Sequence, residues 1–181
     1  DKETSVKEKL EKEMRCWICS KIIYECVTVV PCLHHFCMFC FMQSLQESQE
    51  CPKCSELIVD FRKDTTANCI LEAYAESDYR TDRGAEECKD IEEKLQAGGI
   101  FAKFKDPFGN IYVGNWKKCK RYAKGKMTYL NGDIHVYEGD WKDNLRDGKG
   151  KLIWNGHIYE GDWRKDKEEG QGEMIYSNGD I

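Results

Sequence analysis

The chain is 181 residues long, with a formal net charge of −5 and charged side chains at 34% of positions. Its mean hydropathy is −0.71, and no apolar run approaches the roughly 18 residues of a spanning helix. The length fits one or two domains. Residues 1–97 carry 13 basic and 20 acidic side chains, whereas residues 98–181 carry 15 and 13. The charge therefore predicts no strongly acidic or basic partner for the whole chain.

Residues 1–15 are rich in charge and are predicted to form an N-terminal helix or leader. Val6, Leu10 and Met14 are spaced four apart, which places them on one narrow apolar stripe of a helix. Such a stripe either packs on the following domain or on a second copy of the chain, or belongs to a solvated leader.

Eight potential metal ligands lie between residues 16 and 54 in four close pairs. Two side chains separated by one or two residues can reach one ion from a single tight turn, so each pair is half of a tetrahedral zinc site. Four halves predict two zinc ions. The pairs are Cys16 with Cys19, Cys32 with His34, Cys37 with Cys40, and Cys51 with Cys54.

The order of these ligands, with gaps of 2, 12, 1, 2, 2, 10 and 2 residues, resembles that of a RING finger over residues 16–60. RING fingers interleave their ligands, so the resemblance implies one site of Cys16, Cys19, Cys37 and Cys40 and another of Cys32, His34, Cys51 and Cys54. Both sites would be closed, and their zinc would be structural. His35 is the competing ligand, one residue later. Disulfides are the alternative, but the interposed His and the clustering favour metal.

The 39 residues of the zinc segment are too few for a large core, so metal binding must supply much of the folding free energy. Apolar residues between Ile22 and Phe36 predict a small hairpin, and residues 41–49 predict a short helix. Cys26 is expected to be an ordinary small residue rather than a ligand.

Residues 61–98 are predicted to be a helical linker. The run of Asp64, Thr65 and Thr66 supplies a suitable N-cap for one helix, and residues 82–96 predict a second helix. Residues 68–74 resemble the helix that follows the zinc domain in the checkpoint ligase that carries forkhead-associated and RING domains. Gly98 and Gly99 mark the boundary to the next domain.

A repeat occupies residues 99–181. The pattern Tyr-x-Gly-x-Trp recurs at residues 112–116, 137–141 and 159–163, and a glycine stands nine residues after each Trp. This pattern resembles MORN repeats: three units preceded by a degenerate half, with an array expected to continue beyond residue 181. The pattern predicts two short strands in each unit, which together form a single-layer antiparallel array of hairpins. The aromatic side chains at alternate positions are expected to stack along one face of this array. The fold class is therefore α+β.

The first repeat concentrates six cations within ten residues, which predicts a contact for an anionic membrane surface or an acidic protein. A solvated basic loop is the alternative, and nucleic acid is not a predicted partner. The six are Lys117, Lys118, Lys120, Arg121, Lys124 and Lys126.

The resemblance to RING ubiquitin ligases implies a transferase with no catalytic residue of its own, which positions a ubiquitin-conjugating enzyme charged with ubiquitin. Ile18 and Pro52 match the usual apolar contacts with that enzyme. Leu45 stands beside the position where a bulky Trp or Leu is frequent. Ser55 departs from the family pattern, because many active members carry an Arg or Lys there.

Two functions follow as hypotheses. In the first, the RING domain is a ubiquitin ligase whose partners are a conjugating enzyme and ubiquitin, and the repeats recruit a substrate or localise the chain. In the second, the zinc domain is a non-catalytic module of a scaffold in a cytoskeletal or ciliary assembly. A cytoplasmic location is expected, with association with the cytoskeleton or cilium in the second case, and a homodimer is a further possibility.

Overall fold

The computed structural model describes residues 8–9, 11–76, 82–97, 99–130 and 134–180. The chain divides into two compact units, Asp1–Ala97 and Gly98–Ile181. Within the described residues, every helix is too short or too polar to cross a membrane. Two members of the predicted N-terminal stripe, Val6 and Leu10, lie outside the described residues, whereas residues 11–13 are helical and Met14 is half-buried.

The first unit contains a three-stranded antiparallel sheet of β1 (Cys26–Val30), β2 (His35–Cys37) and β3 (Asp60–Lys63), in the order β2-β1-β3. The β1–β2 pair confirms the predicted hairpin, and β3 adds a strand that the sequence did not predict. Phe41 joins Phe36 and Phe61 in a small aromatic core, at ring-centroid distances of 6.2 and 5.1 Å.

Beyond the short helical stretch at residues 11–13, three helices of the described part of the first unit accompany this sheet. The first, α1 (Met38–Glu47), begins three residues before the predicted one. The second, α2 (Thr65–Glu76), begins at the predicted cap, because the Ala67 amide donates to Asp64 Oδ1 at 2.9 Å. The third, α3 (Ala85–Gln96), begins after Gly84 and buries Ile91 and Leu95.

The helices of residues 64–97 make specific contacts with the metal-binding region. Asn68 of α2 accepts a hydrogen bond from the Cys26 amide at 2.8 Å and donates to the Cys26 carbonyl at 3.2 Å. Asp82, ahead of α3, accepts from the Ile22 amide at 2.8 Å. These bonds join the helices to backbone groups of the zinc domain, and the Cys26 carbonyl also accepts from the Asp64 amide at 2.9 Å.

The second unit is one antiparallel sheet of seven strands in sequence order. Each strand therefore pairs only with its neighbours along the chain, which is the architecture of a hairpin array. The strands are β4 (Ile100–Lys105), β5 (Ile111–Lys117), β6 (Lys120–Tyr129), β7 (His135–Lys142), β8 (Leu145–Trp154), β9 (His157–Arg164) and β10 (Lys167–Ile175).

A continuous row of aromatic rings holds this sheet together. Tyr112 contacts Trp116 at 5.0 Å and Trp141 at 5.5 Å between ring centroids, and Tyr137 contacts Trp141 at 5.1 Å and Trp163 at 5.3 Å. The interplanar angles of 81–89° are edge-to-face, the arrangement that aromatic quadrupoles favour. Each Trp therefore bridges its own unit to the unit before it.

The glycine that stands nine residues after each Trp makes room for a tyrosine. A Cβ on Gly125 would overlap the Tyr112 ring and hydroxyl, and a Cβ on Gly150 would overlap those of Tyr137. The repeat of Gly with Tyr is therefore a steric requirement of the array.

The turns of the array require left-handed backbone. Asp143 and Asn144 have φ of 51° and 73°, and Asn155 and Gly156 have φ of 47° and 80°, as expected of tight two-residue hairpin turns. The latter pair forms the turn between β8 and β9. The equivalent pair at residues 131–132 lies outside the described residues.

Candidate metal centre

The first cluster brings together Cys16, Cys19, Cys37 and Cys40, whose sulfur atoms all lie within 4.8 Å of one another. The turn that carries Cys16 and Cys19 is closed by a hydrogen bond from the Ser20 amide to the Cys16 carbonyl at 2.7 Å. The other two cysteines lie at the end of β2 and in the first turn of α1. Backbone amides also point at the sulfurs, since the Tyr24 amide donates to Cys37 Sγ at 3.3 Å.

The second cluster brings together Cys32, His34, Cys51 and Cys54 under the same distance limit. His34 Nδ1 lies 3.4 Å from Cys51 Sγ. The competing residue, His35, points elsewhere: its Nδ1 lies 2.9 Å from Thr28 Oγ1. His34 is therefore the ligand, as predicted.

Two of the three Cys-x-x-Cys pairs, Cys16 with Cys19 and Cys51 with Cys54, lie in turns of the same local geometry. Ser20 and Ser55 each follow the second cysteine of the turn, and they have φ of 59° and 60°. The Ser55 amide donates to the Cys51 carbonyl at 2.8 Å, which matches the bond made by Ser20. Positive φ is uncommon in residues other than glycine. The hydrogen bonds that close the two turns therefore stabilise this backbone conformation, which presents two sulfurs to one ion.

The ligand pairs are interleaved, as the sequence predicted. The first and third pairs form one site, and the second and fourth form the other. Seven sulfur donors and one imidazole nitrogen, in two closed sets of four, fit structural zinc. These are two cross-braced zinc-binding sites of the RING type.

Contacts within the two clusters shift the pKa values of several ligands. Hydrogen bonds from Cys37 and Cys40 lower the pKa of Cys16, and the same bond with Cys16 raises the pKa of Cys37. Burial lowers the pKa of His34, so the ring is neutral near pH 7, as metal ligation requires. Burial raises the pKa of Cys26 to about 12. Cys26 belongs to neither of the two ligand clusters, in agreement with the prediction that it is not a ligand.

Arg83 contacts the first cluster, and sequence reasoning missed it. Its Nη2 donates to Cys19 Sγ at 2.8 Å and to Cys37 Sγ at 3.2 Å, and its Nε donates to the Ile22 carbonyl at 3.1 Å. Burial opposes its charge, but the neighbouring Cys37 and Cys19 sulfurs outweigh burial and raise its pKa. The sequence signal was weak, because one Arg among the charges before a helix is ordinary.

The predicted contacts with a conjugating enzyme are only partly at the surface. Ile18 is 40% exposed and the neighbouring Trp17 is 60% exposed, while Pro52 is half-buried and Ser55 is exposed. Leu45 is 3% exposed and belongs to the core. The surface role predicted for Leu45 is therefore wrong: α1 turns this side chain inward with its apolar stripe.

Three of the six cations of the first repeat pair with acids of the next hairpin. Lys124 contacts Asp140 at 2.9 Å, and Lys126 contacts Glu138 at 3.5 Å. Lys120 is similarly paired with Asp143 at 3.1 Å. Arg121 stacks on Trp141, with its guanidinium carbon 4.4 Å from the ring centroid. These cross-strand pairs reduce the field available to an anionic partner, whose binding stays a prediction.

Comparison with known families gives the class of protein. Residues 15–54 match the model of the C3HC4-type zinc finger, the RING finger, and residues 137–157 and 159–181 match the MORN repeat. The fold, the two metal sites and these matches agree: the chain carries a RING finger followed by MORN repeats. The repeat that begins at Tyr112 has the same strands and aromatic contacts as the two matched repeats.

Among curated proteins, the E3 ubiquitin-protein ligase CHFR of Danio rerio is 35% identical over 72 residues, which is 40% of this chain and 11% of that protein. The ligase rnf8-A of Xenopus laevis is 37% identical over 62 residues, 34% of this chain and 11% of that protein. A LON peptidase N-terminal domain and RING finger protein of Schizosaccharomyces pombe is 32% identical over 99 residues, 52% of this chain and 19% of that protein. The chain thus spans between 11% and 19% of the length of these relatives.

Proposed function

We propose that this chain acts as a RING-type ubiquitin ligase that binds a charged ubiquitin-conjugating enzyme and promotes ubiquitin transfer, with the MORN array as its recruitment module. The observation that carries the proposal is a pair of cross-braced metal sites with exposed apolar side chains on a metal-binding turn. The similarity of this part of the chain to two E3 ubiquitin-protein ligases points the same way.

The proposed docking surface combines turns from both metal sites. Ile18 and Trp17 belong to the turn of the first site, and Pro52 and Lys53 belong to the turn of the second. Lys53 Nζ lies 5.0 Å from the centroid of the Trp17 ring, so the two turns are neighbours. Exposed apolar side chains held on a rigid, metal-stapled frame are expected at a protein-interaction site.

Catalysis at such a surface is a matter of positioning. The RING surface would bind the conjugating enzyme and restrict the thioester and its ubiquitin to a reactive orientation. This restriction lowers the entropic part of the activation barrier without an acid or a base from the RING domain. Ser55 is exposed beside the last ligand, but its single hydroxyl cannot replace the several charge-assisted hydrogen bonds of an arginine. We therefore expect weak transfer by the natural sequence.

The test is autoubiquitination by the zinc-loaded full chain with activating enzyme, ubiquitin and a broad panel of conjugating enzymes. Ile18→Ala should reduce the rate at least about ten-fold, because it removes an apolar contact at the centre of the proposed surface. Ile70→Ala is the matched control, since Ile70 is also exposed in the same unit but lies on α2. Ser55→Arg should raise the rate.

Two results would contradict the ligase proposal. One is the lack of ubiquitin chains with every conjugating enzyme for both the natural sequence and Ser55→Arg. The other is an equal loss of rate in Ile18→Ala and Ile70→Ala, which would separate the activity from this surface.

The recruitment role rests on a groove across the second unit. A row of paired glycines runs from strand to strand through Gly125, Gly139, Gly150 and Gly161, and a cavity of about 1000 Å³ lies over this row. Lysines and glutamates alternate along its wall, including Lys126 paired across strands with Glu138. A groove with exposed backbone and alternating charges suits an extended polar segment of another protein.

The alternative function is a non-catalytic scaffold, which Ser55 favours. In this version the zinc domain and the groove both hold partners within a cytoskeletal or ciliary assembly, whereas the ligase version acts in the cytoplasm. Stable incorporation of the tagged full chain into a filamentous complex, with Ile18 protected from solvent there, would support the scaffold. A freely diffusing chain with zinc-dependent transfer activity would support the ligase.

A further inference from the structure

The two metal sites differ in the charge that their ligands impose. Four thiolates around a divalent ion leave a net charge of about −2, whereas three thiolates and a neutral imidazole leave about −1. The first site is also the more enclosed, since Cys16 and Cys37 are both buried, while Cys54 of the second site is exposed. A buried excess of negative charge needs compensation from nearby donors.

Arg83 brings a positive charge to the sulfurs of this first site. Its side chain is only 5% exposed, and a single nitrogen, Nη2, is within 2.8 Å of Cys19 Sγ and 3.2 Å of Cys37 Sγ. On the other side, Nη1 is 2.7 Å from Glu87 Oε1. The guanidinium therefore lies between the ligand sulfurs and one carboxylate, where its fixed fork of donors fits both.

Neighbouring bonds hold Arg83 in place. Asp82 accepts from the Ile22 amide at 2.8 Å and pairs with Arg15 at 2.6 Å. Glu87 also pairs with Lys21 at 2.7 Å. These bonds fix the segment before α3 to the loop that follows Cys19, so the position of the guanidinium does not depend on its contact with sulfur alone.

We propose that Arg83 is an outer partner of the first zinc site and that retention of zinc by Cys16, Cys19, Cys37 and Cys40 depends on it. Arg83 stands 29 residues beyond the last ligand, Cys54. The residues that determine zinc affinity at the first site therefore include the segment before α3, because Arg83 lies in that segment. Its contribution is assigned to one of the two ions because the ligand sulfurs that it contacts, Cys19 Sγ and Cys37 Sγ, both belong to the first site.

The experiment loads the full chain with cadmium-113 and follows both sites by NMR during titration with a chelator. A centre with four sulfur ligands and a centre with three sulfurs and one nitrogen give separate resonances, so each affinity is read independently. Arg83→Gln should weaken the four-sulfur site by about 10- to 100-fold, the usual effect of removing an outer-sphere partner, and should shift its resonance. The affinity of the second site should stay unchanged, which also reports that the unit remains folded.

Two further variants sharpen the result. Lys89→Gln removes a positive charge from the same helix, but Lys89 is exposed and its ion pair is with Glu93 of α3, so both sites should behave as in the natural sequence. Arg83→Lys should recover part of the lost affinity, because an ammonium keeps the charge with fewer directed donors.

Three outcomes would overturn the proposal. The first is an unchanged four-sulfur site in Arg83→Gln. The second is an equal weakening of both sites, which would make Arg83 a residue of the fold and not of one ion. The third is Arg83→Lys behaving no better than Arg83→Gln, which would contradict the role of charge.

Discussion

The RING unit and the MORN array solve the problem of stability in different ways. In the first unit, two clusters of ligands fix loops around a small aromatic core of Phe36, Phe41 and Phe61. In the second, no such cluster exists among the described residues, and a row of Tyr and Trp rings runs from strand to strand. The stability of the first unit therefore depends on its eight metal ligands, whereas that of the second unit is distributed over equivalent contacts between Tyr and Trp rings.

This contrast predicts different responses to damage. A metal-held unit loses its fold as a whole when both of its metal ions are removed. A repeat array loses the contacts between two neighbouring units first, because stability in such arrays is close to a sum of nearest-neighbour terms. The following predictions are arranged from the largest expected effect to the smallest.

Removal of zinc should unfold the first unit and leave the second intact. A chelator abolishes the metal-binding free energy, which for structural zinc in small domains is on the order of 10 kcal/mol or more. Hydrogen exchange measured by mass spectrometry should then show loss of protection in β1–β3 and α1, and unchanged protection in β5–β9. Protection of the first unit that survives stoichiometric chelation would contradict the metal-held fold.

In the array, Trp141→Ala should be the most damaging single truncation. Trp141 is buried, contacts both Tyr112 and Tyr137, and is covered by Arg121. The expected loss in the free energy of unfolding of the second unit is about 3–5 kcal/mol, measured by denaturant titration. Trp154→Ala is the matched control, since Trp154 is only half-buried and should cost less. Equal losses would contradict the role of the aromatic row.

Gly150→Ala tests the steric side of the same row. The added Cβ would overlap the Tyr137 ring, so the tyrosine or the strand must move, at a cost of about 1–3 kcal/mol or somewhat more. Lys151→Ala, at the next position and on the opposite face, removes only a surface ion pair with Glu160 and should cost under about 1 kcal/mol. A neutral Gly150→Ala would show that Tyr137 has another rotamer available.

The sequence predicted the fold and the metal sites best at positions where only one or two residue types can fulfil the structural role. Ligand spacing identified both zinc sites, and the Tyr-x-Gly-x-Trp repeat identified the hairpin array, because metal geometry and glycine sterics tolerate few substitutes. A cap within residues 64–66 was predicted from their short polar side chains, and in the structure Asp64 makes the capping bond.

The sequence was less informative about contacts between residues that are far apart along the chain. Arg83 bonds to sulfur, and Asn68 to Cys26, across 64 and 42 residues, and neither residue type is specific for such a contact. Leu45 was placed on the surface although it belongs to the core, because a short helix offers too few turns to fix its apolar face from sequence. The third strand, Asp60–Lys63, has only Phe61 buried, so its pattern was too polar to predict a strand.

The smallest expected effect concerns the cap of α2, which is fixed to β1 by Asn68. Asp64 accepts from the Ala67 amide at 2.9 Å and from Thr28 Oγ1 at 2.7 Å, and Asp64→Ala should cost about 1 kcal/mol in the first unit. Asp64→Asn should cost less, because an amide oxygen can still cap the helix. The free energy of unfolding of zinc-loaded protein, followed by a probe in α2, measures both.

The pH dependence separates this cap from the metal sites. The hydrogen bonds from Ala67 and Thr28 hold the pKa of Asp64 below its ordinary value of 3.8, so its contribution is complete above that value and is lost only as the pH falls through the lowered pKa. The difference between the natural sequence and Asp64→Ala should therefore be constant from pH 8 to pH 6. His34 behaves differently: burial lowers its pKa below 6.5, so the unfolded chain takes up the proton first and stability falls as the pH drops through 6.5. A difference between the two proteins that changes with pH over that range would show that Asp64 also interacts with a neighbouring ionisable side chain, such as His35, whose Nδ1 lies 4.0 Å from Asp64 Oδ2.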